Sequence, residues 1–324
     1  MKILSNKSYD GLIDSIFLGP LKKKRDSLQE EISRLSMTNK HLLSDQKKIR
    51  DIFERIAGDC RKVTEQTELA LKGAAYVYSR GGVEERRRIL ALARRLSPMK
   101  AKTIGKARFG RRGDGGYVMG DFLPKGAIAI SCGVGGDVSW DIAVAERLIP
   151  VFQYDYSVDC APQEHPLFRF FKLEISSTAG LHKKTLGEIL DEHGGSESNH
   201  ILKIDIEGGE WPVFEQIELS VLRRFSQIVV EFHDFQNVCD KKWYRSAQTA
   251  LDKLAEDFYV IHVHGANTGR LAVIANVPFP NVLEVTWLRK DLSDFEPSEE
   301  SFPTPLDAPT DPEFEDIFLG RFMF

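Results

Sequence analysis

Three carboxylates crowd into Ile204-Asp205-Ile206-Glu207-Gly208-Gly209-Glu210-Trp211, directly after an apolar run that begins at Ile201. Ionisable side chains are seldom set at the end of a buried strand for packing alone. A carboxylate there can orient an amino group, hold a substrate hydroxyl, or accept its proton. For Glu207 and Glu210 a plainer role is open as well, as N-terminal caps of the following helix. A second segment, Ile128 to Asp137, runs from apolar residues into Gly133-Val134-Gly135-Gly136-Asp137. Its glycines let the backbone turn sharply and approach a ligand where a Cβ would clash. A third apolar run ends in Asp155, about twenty residues further on, where an acid takes ribose hydroxyls. A fourth run, Gln227 to Phe232, closes on Glu231-Phe232-His233-Asp234. His233 would bring a neutral imidazole near pH 7, suited to removing a hydroxyl proton.

Strand, glycine turn, helix and a strand ending in an acid must lie in that order to position these groups. Together they build a nucleoside pocket at the carboxyl edge of a parallel sheet. The helix is expected over Ser139 to Leu148, with its first amides aimed at the turn. A dinucleotide fingerprint would need a third small residue where this chain has Val138, and the turn runs into Asp137, a poor neighbour for pyrophosphate. The acid suits a positively charged amino acid moiety, so the turn favours S-adenosylmethionine over a nicotinamide dinucleotide. Glu174, after Phe170 and Phe171, is an adenine-side candidate. Asp205, His233 and His264 carry a ligand mix known for divalent cations. No tight ligand spacing accompanies it, and no metal is assigned from the sequence.

Leu202 to Trp211 resembles the K-[IV]-D-[IV]-E-G-x-E motif of FkbM-type, class I S-adenosylmethionine-dependent methyltransferases. Gly113-Asp114-Gly115-Gly116-Tyr117-Val118 is similar to the D-G-G-Y-V segment before their first strand. Ser131 to Asp137 is similar to their S-x-G-V-G-x-D turn. His262-Val263-His264-Gly265-Ala266-Asn267 resembles their H-x-H-x-N-N segment, with Ala266 in place of the first Asn. Val282 to Thr286 resembles their V-L-E-V-T strand. The resemblance implies an α/β, Rossmann-like class I methyltransferase fold: a seven-stranded, mostly parallel sheet with an antiparallel final strand. It implies Ser131, Gly133, Gly135, Asp137, Asp155 and Glu174 toward the cofactor, and Asp205, Glu207 and His233 as catalytic. Tyr117, Glu210, His264 and Asn267 are then expected on the acceptor side. The reaction implied is oxygen methylation of a hydroxyl on a sugar, polysaccharide or natural product. Two other classes compete. One is a coiled-coil scaffold or pseudoenzyme, against which the pocket acids argue; the other is a nicotinamide-dependent oxidoreductase.

The front of the chain is a different material. Leu21, Leu28, Leu35, Leu42, Ile49, Ile56 and Val63 recur every seventh residue. That predicts a long α-helical coiled coil over residues 21–72, after an N-terminal segment 1–20, and self-association through it. Light scattering would read this as a mass above that of one chain. Residues 73–100 are expected as a hinge, Gly73 to Gly82, and an amphipathic helix, Val83 to Leu96, with a solvated arginine face. Residues 101–292 form the methyltransferase unit, and the acidic, proline-rich segment 293–324 is expected to pack back on it. The net charge of −4 over 324 residues argues against nucleic acid as a partner. Four cysteines without paired spacing indicate neither a zinc site nor a disulfide framework. No apolar run has the length of a membrane span, and residues 1–20 lack a signal-peptide core. A cytoplasmic setting is the expectation.

Overall fold

The computed structural model describes residues 19–36, 50, 53–54 and 76–79, and all residues from 81 on except 197. The chain divides into two compact units, residues 1–74 and 75–324. In the first, Gly19–Ser36 is an α-helix. The greater part of the heptad seam lies outside the described residues, as does Gly73. No helix among the described residues is long and apolar enough to cross a membrane.

The segment expected as a hinge contains a strand. Tyr76–Ser79 pairs in parallel with Leu271–Ile274, which pairs in turn with Val277–Pro280. Tyr76, Val77 and Tyr78 are aromatic and β-branched residues, which suit that edge position. The helix Val83–Arg95 follows, burying Ile89, Leu92 and Ala93. Its arginine face is only partly solvated. Arg88 is buried, with its guanidinium 3.3 Å from the Cys239 carbonyl and 5.4 Å from the centre of the Tyr244 ring. Arg95 reaches Asp252.

Seven strands form the main sheet: β1 (Ala129–Cys132), β2 (Val151–Tyr154), β3 (Phe168–Phe171), β4 (His200–Ile204), β5 (Phe225–Phe232), β6 (Phe258–Gly265) and β7 (Leu283–Arg289). Their order across the sheet is β6-β7-β5-β4-β1-β2-β3. β7 alone is antiparallel, inserted between β5 and β6. Every residue of β1, β4 and β5 is buried, as expected of central strands covered on both faces. On one face pack Leu186–His193, Glu210–Gln216 and Lys241–Asp257, whose apolar residues include Ile189, Phe214 and Leu251. Trp140 and Val144, from the helix Ser139–Ala145, lie in a second cluster with Met119 and Val229.

The terminal segment 293–324 lies on this unit. Phe295–Pro297 pairs antiparallel with Met99–Ala101, and Phe302 and Phe322 are buried. Apolar residues in a proline-rich stretch thus find cover through side-chain burial and a three-residue ladder.

Candidate functional site

The strand order reverses between β1 and β4, since the chain leaves β1 toward β2 and β3 and returns on its other side. Ligands bind at such a switch point, beyond the carboxyl ends of the strands. Here those ends carry Gly133 and Asp205. Their backbones are so close that a Cβ on Gly133 would lie 1.5 Å from the Asp205 carbonyl oxygen, and Gly133 has φ +75°. Only glycine satisfies both demands. Gly135, at φ +54°, meets open space instead, so its need is conformational and its face is turned to the pocket.

Asp155 fixes this turn. One carboxylate oxygen accepts from the amides of Val134 and Gly135 at 2.9 and 2.8 Å. The other accepts from the Ser157 amide and hydroxyl at 2.7 and 2.6 Å. Burial acts to raise its pKa, but the Gly135 amide, the Ser157 donors and the Val134 amide outweigh it and hold the group below its ordinary value. Asp137 accepts from the Ser139 amide and hydroxyl at 2.9 and 2.6 Å, so it occupies the first amide of its helix. Glu174, in the strand Glu174–Ile175, pairs with Lys183 at 2.6 Å on the same pocket wall.

Five side chains converge at the other end. Asp205, Glu207, Glu231, His233 and Tyr117 line one cavity with the glycine turn, of about 700 Å³. The Tyr117 hydroxyl lies 3.3 Å from both Asp205 and Glu231. Burial first, then the charges of Asp205 and Glu231, push its phenol well above its usual pKa. Burial first and Asp205 second likewise push the Glu231 carboxyl well above the ordinary carboxylate range. Glu207 is exposed yet held at φ +57°, a left-handed conformation that costs a non-glycine residue about 1–2 kcal/mol. Such strain gathers at functional turns.

His233 departs from expectation. Burial would lower its pKa, but Glu210, then Glu231 and Asp205, overcome that and hold it up to about 10. The ring is therefore an imidazolium near pH 7 in the protein alone, not the neutral base read from the sequence. The sequence concealed this because the four acids around it come from β5, the turn after β4 and the first residue of the helix that follows.

Four other expected site residues do different work. Ser131 is fully buried inside β1 and is not in the cavity wall. Glu210 is wholly buried and accepts from the Ile206 and Gly208 amides at 2.7 and 3.0 Å, tying down the turn rather than facing an acceptor. His264 lies buried between Glu284 at 3.0 Å and Asp316 at 2.9 Å. Asn267 donates to the Asp311 and Phe314 carbonyls and accepts from the Asp311 amide at 2.7 Å. The histidine and asparagine thus bind the terminal segment. Since Thr268 and Gly269 line the cavity, that segment braces one pocket wall.

Lys203, Val282 and Glu231 also line the cavity, beyond the site residues the sequence points to. Lys203 donates to the Gly133 carbonyl at 2.5 Å and stands 4.0 Å from Asp205. A lysine between Leu202 and Ile204 of a buried central strand was the available signal.

The His264 contact makes a stability prediction. Burial opposes its charge, yet Glu284 and then Asp316 hold its pKa up to about 11. A folded-state pKa above the unfolded value contributes stability in full below about 6.5, lost as pH rises toward 11. His264→Ala is expected to cost about 3–5 kcal/mol, the usual penalty for stranding a buried charge. By calorimetry that is roughly 10 °C in Tm at pH 6, with a smaller deficit at pH 10. A loss that does not shrink with pH would assign His264 to packing alone.

Residues 124–261 match the family model of the methyltransferase FkbM domain. The match contains the glycine turn, Asp155, the Asp205 to Glu210 segment, Glu231 and His233, and stops before His262 and the terminal segment. It covers less than half of the chain and supports a methyltransferase family for this unit. No curated protein matches the chain.

Proposed function

We propose that this protein transfers a methyl group from S-adenosylmethionine to the oxygen of a hydroxyl-bearing acceptor, a carbohydrate in the first instance. The observation that carries the reading is a single cavity joining the Gly133–Gly135 turn to Asp205, Glu207 and His233. Its volume of about 700 Å³ is within the range of small-molecule sites. The residues suit the cofactor. Its reacting end would face Asp205 and Glu207, and its nucleoside would lie along the turn held by Asp155, with Tyr154 and Glu174 beyond. Asp137 on the first helix amide speaks against a pyrophosphate, which would need that position itself.

When bound, the cofactor supplies a methyl group already activated on a sulfonium, so the protein's part is chiefly positioning. Asp205 stands at the strand end where the acceptor hydroxyl would come, with Tyr117 hydrogen-bonded beside it. A carboxylate here receives the hydroxyl proton, with His233 facing the same acids. The choice of a sugar hydroxyl follows from the resemblance in the sequence; the polar, carboxylate-lined wall agrees with a polyol.

Calorimetric titration with S-adenosylmethionine and S-adenosylhomocysteine tests the reading. Asp155→Ala removes two charged hydrogen bonds from the turn, each worth about 1.5–3 kcal/mol. Affinity is expected to fall at least ten-fold with the fold retained by circular dichroism. Absence of binding by the folded wild-type protein would favour the scaffold.

A further inference from the structure

The geometry around His233 is that of a ligand set. Its Nε2 atom faces Asp205 Oδ1 at 3.8 Å, Glu207 Oε2 at 3.6 Å and Glu231 Oε1 at 3.7 Å. All three separations exceed a hydrogen bond. Asp205, Glu231 and His233 each offer one ligand atom, and those atoms lie within 4.8 Å of one another. Metal–ligand bonds of about 2.0–2.2 Å place neighbouring ligand atoms roughly 3–3.5 Å apart, so a small inward movement closes the set on an ion.

The surroundings hold these groups in that orientation. The Tyr117 hydroxyl lies against the other oxygen of each carboxylate, Asp205 Oδ2 and Glu231 Oε2, both at 3.3 Å. Oδ1 and Oε1 are thereby left to face His233. On the far side of the ring, Nδ1 stands 3.3 Å from Glu210 Oε1, an ion-pair distance. Glu210 is itself fixed by two backbone amides. Metal-binding histidines and carboxylates are oriented by such outer partners. The Lys203 ammonium, bonded to the Gly133 carbonyl at 2.5 Å and 4.0 Å from Asp205 Oδ2, offsets part of the acids' charge but lies on the oxygen turned away from His233.

We propose that Asp205, Glu231 and His233, with Glu207 at the rim, form a binding site for a divalent first-row transition ion. One imidazole among carboxylates suits Mn²⁺ or Zn²⁺, either of which displaces the His233 Nε2 proton to solvent on binding, whereas Mg²⁺ prefers oxygen ligands alone. Its role rests on the methyltransferase reading: an ion there lies at the acceptor end of the cavity and lowers the pKa of a bound hydroxyl. The site itself does not depend on that reading.

The test uses full-length protein freed of metal with a chelator, titrated with MnCl₂ by calorimetry and by the loss of free Mn²⁺ paramagnetic signal. One ion per chain is expected. His233→Ala and Asp205→Asn should each weaken binding at least ten-fold. Tyr117→Phe, which removes only an outer partner, should weaken it about ten-fold. Asp252→Asn, on the remote helix Lys241–Asp257, should leave it unchanged. Circular dichroism establishes that each variant is folded. No stoichiometric uptake by the folded wild type overturns the site, as does equal uptake by all four variants. S-adenosylmethionine is titrated into the same metal-free sample. Cofactor binding without Mn²⁺ uptake refutes the ion site and spares the methyltransferase reading; uptake without cofactor binding does the reverse.

Discussion

Gly133→Ala is expected to lower Tm by about 10 °C and to abolish cofactor binding, while Gly135→Ala, two residues away, leaves the fold nearly intact. The difference lies in what each Cβ meets. At Gly133 it falls 1.5 Å from the Asp205 carbonyl oxygen, with φ at +75°. The left-handed conformation costs an alanine about 1–2 kcal/mol. Prising the ends of β1 and β4 apart adds about 1–3 kcal/mol, as overpacking does elsewhere. For a unit of this size roughly 4 kcal/mol corresponds to about 10 °C. Gly135 has the same backbone requirement at φ +54° but no atom within 4 Å of its Cβ. Its alanine variant should therefore lose only about 1–2 kcal/mol, yet weaken the cofactor, because the new methyl projects into the cavity. Scanning calorimetry paired with cofactor titration separates the two. Equal Tm values for both variants would contradict the close approach of β1 to β4.

Asp205→Asn is expected to reduce kcat by about 10²–10⁴, the usual span for losing a proton acceptor at a reacting group. Cofactor affinity should change by less than about five-fold, or 1 kcal/mol. The substitution keeps the side chain's size and its contact with Tyr117, and removes the charge and the proton-accepting power. Glu207→Gln provides the contrast: its side chain is 89 % exposed and well screened, so a smaller loss is expected. The measurement is S-adenosylhomocysteine release with an acceptor that supports turnover. An Asp205→Asn enzyme retaining a tenth of wild-type kcat would move the proton acceptor elsewhere in the cluster.

The glycine turn, the acid after β2 and the carboxylates after β4 are local patterns, so they were legible in order along the chain. Each needs only a strand ending and a conformation that few residues adopt. Residues that meet across elements were less legible. Glu210 shows why: beside two glycines the sequence offers it equally as an acceptor contact and a helix cap, and the structure has it buried on the Ile206 and Gly208 amides, a brace of the turn before the helix. His264 and Asn267 likewise look like site residues, since polar side chains at a strand end suggest chemistry. Their partners, Asp316 and the Asp311 backbone, lie more than forty residues on.

The antiparallel last strand was implied by the family resemblance; by itself the sequence determined the α/β architecture, the position of the glycine turn and the acids at the strand ends. It could do so because strand periodicity and left-handed turns are written in neighbouring residues. Tertiary structure alone decided that the 76–79 segment is a strand, that the histidines of β6 hold the terminal segment, and that Glu231 and Tyr117 join Asp205. It also decided the charge of His233, because an imidazole's pKa follows the field of every carboxylate around it. Those carboxylates meet only when β4 and β5 lie side by side.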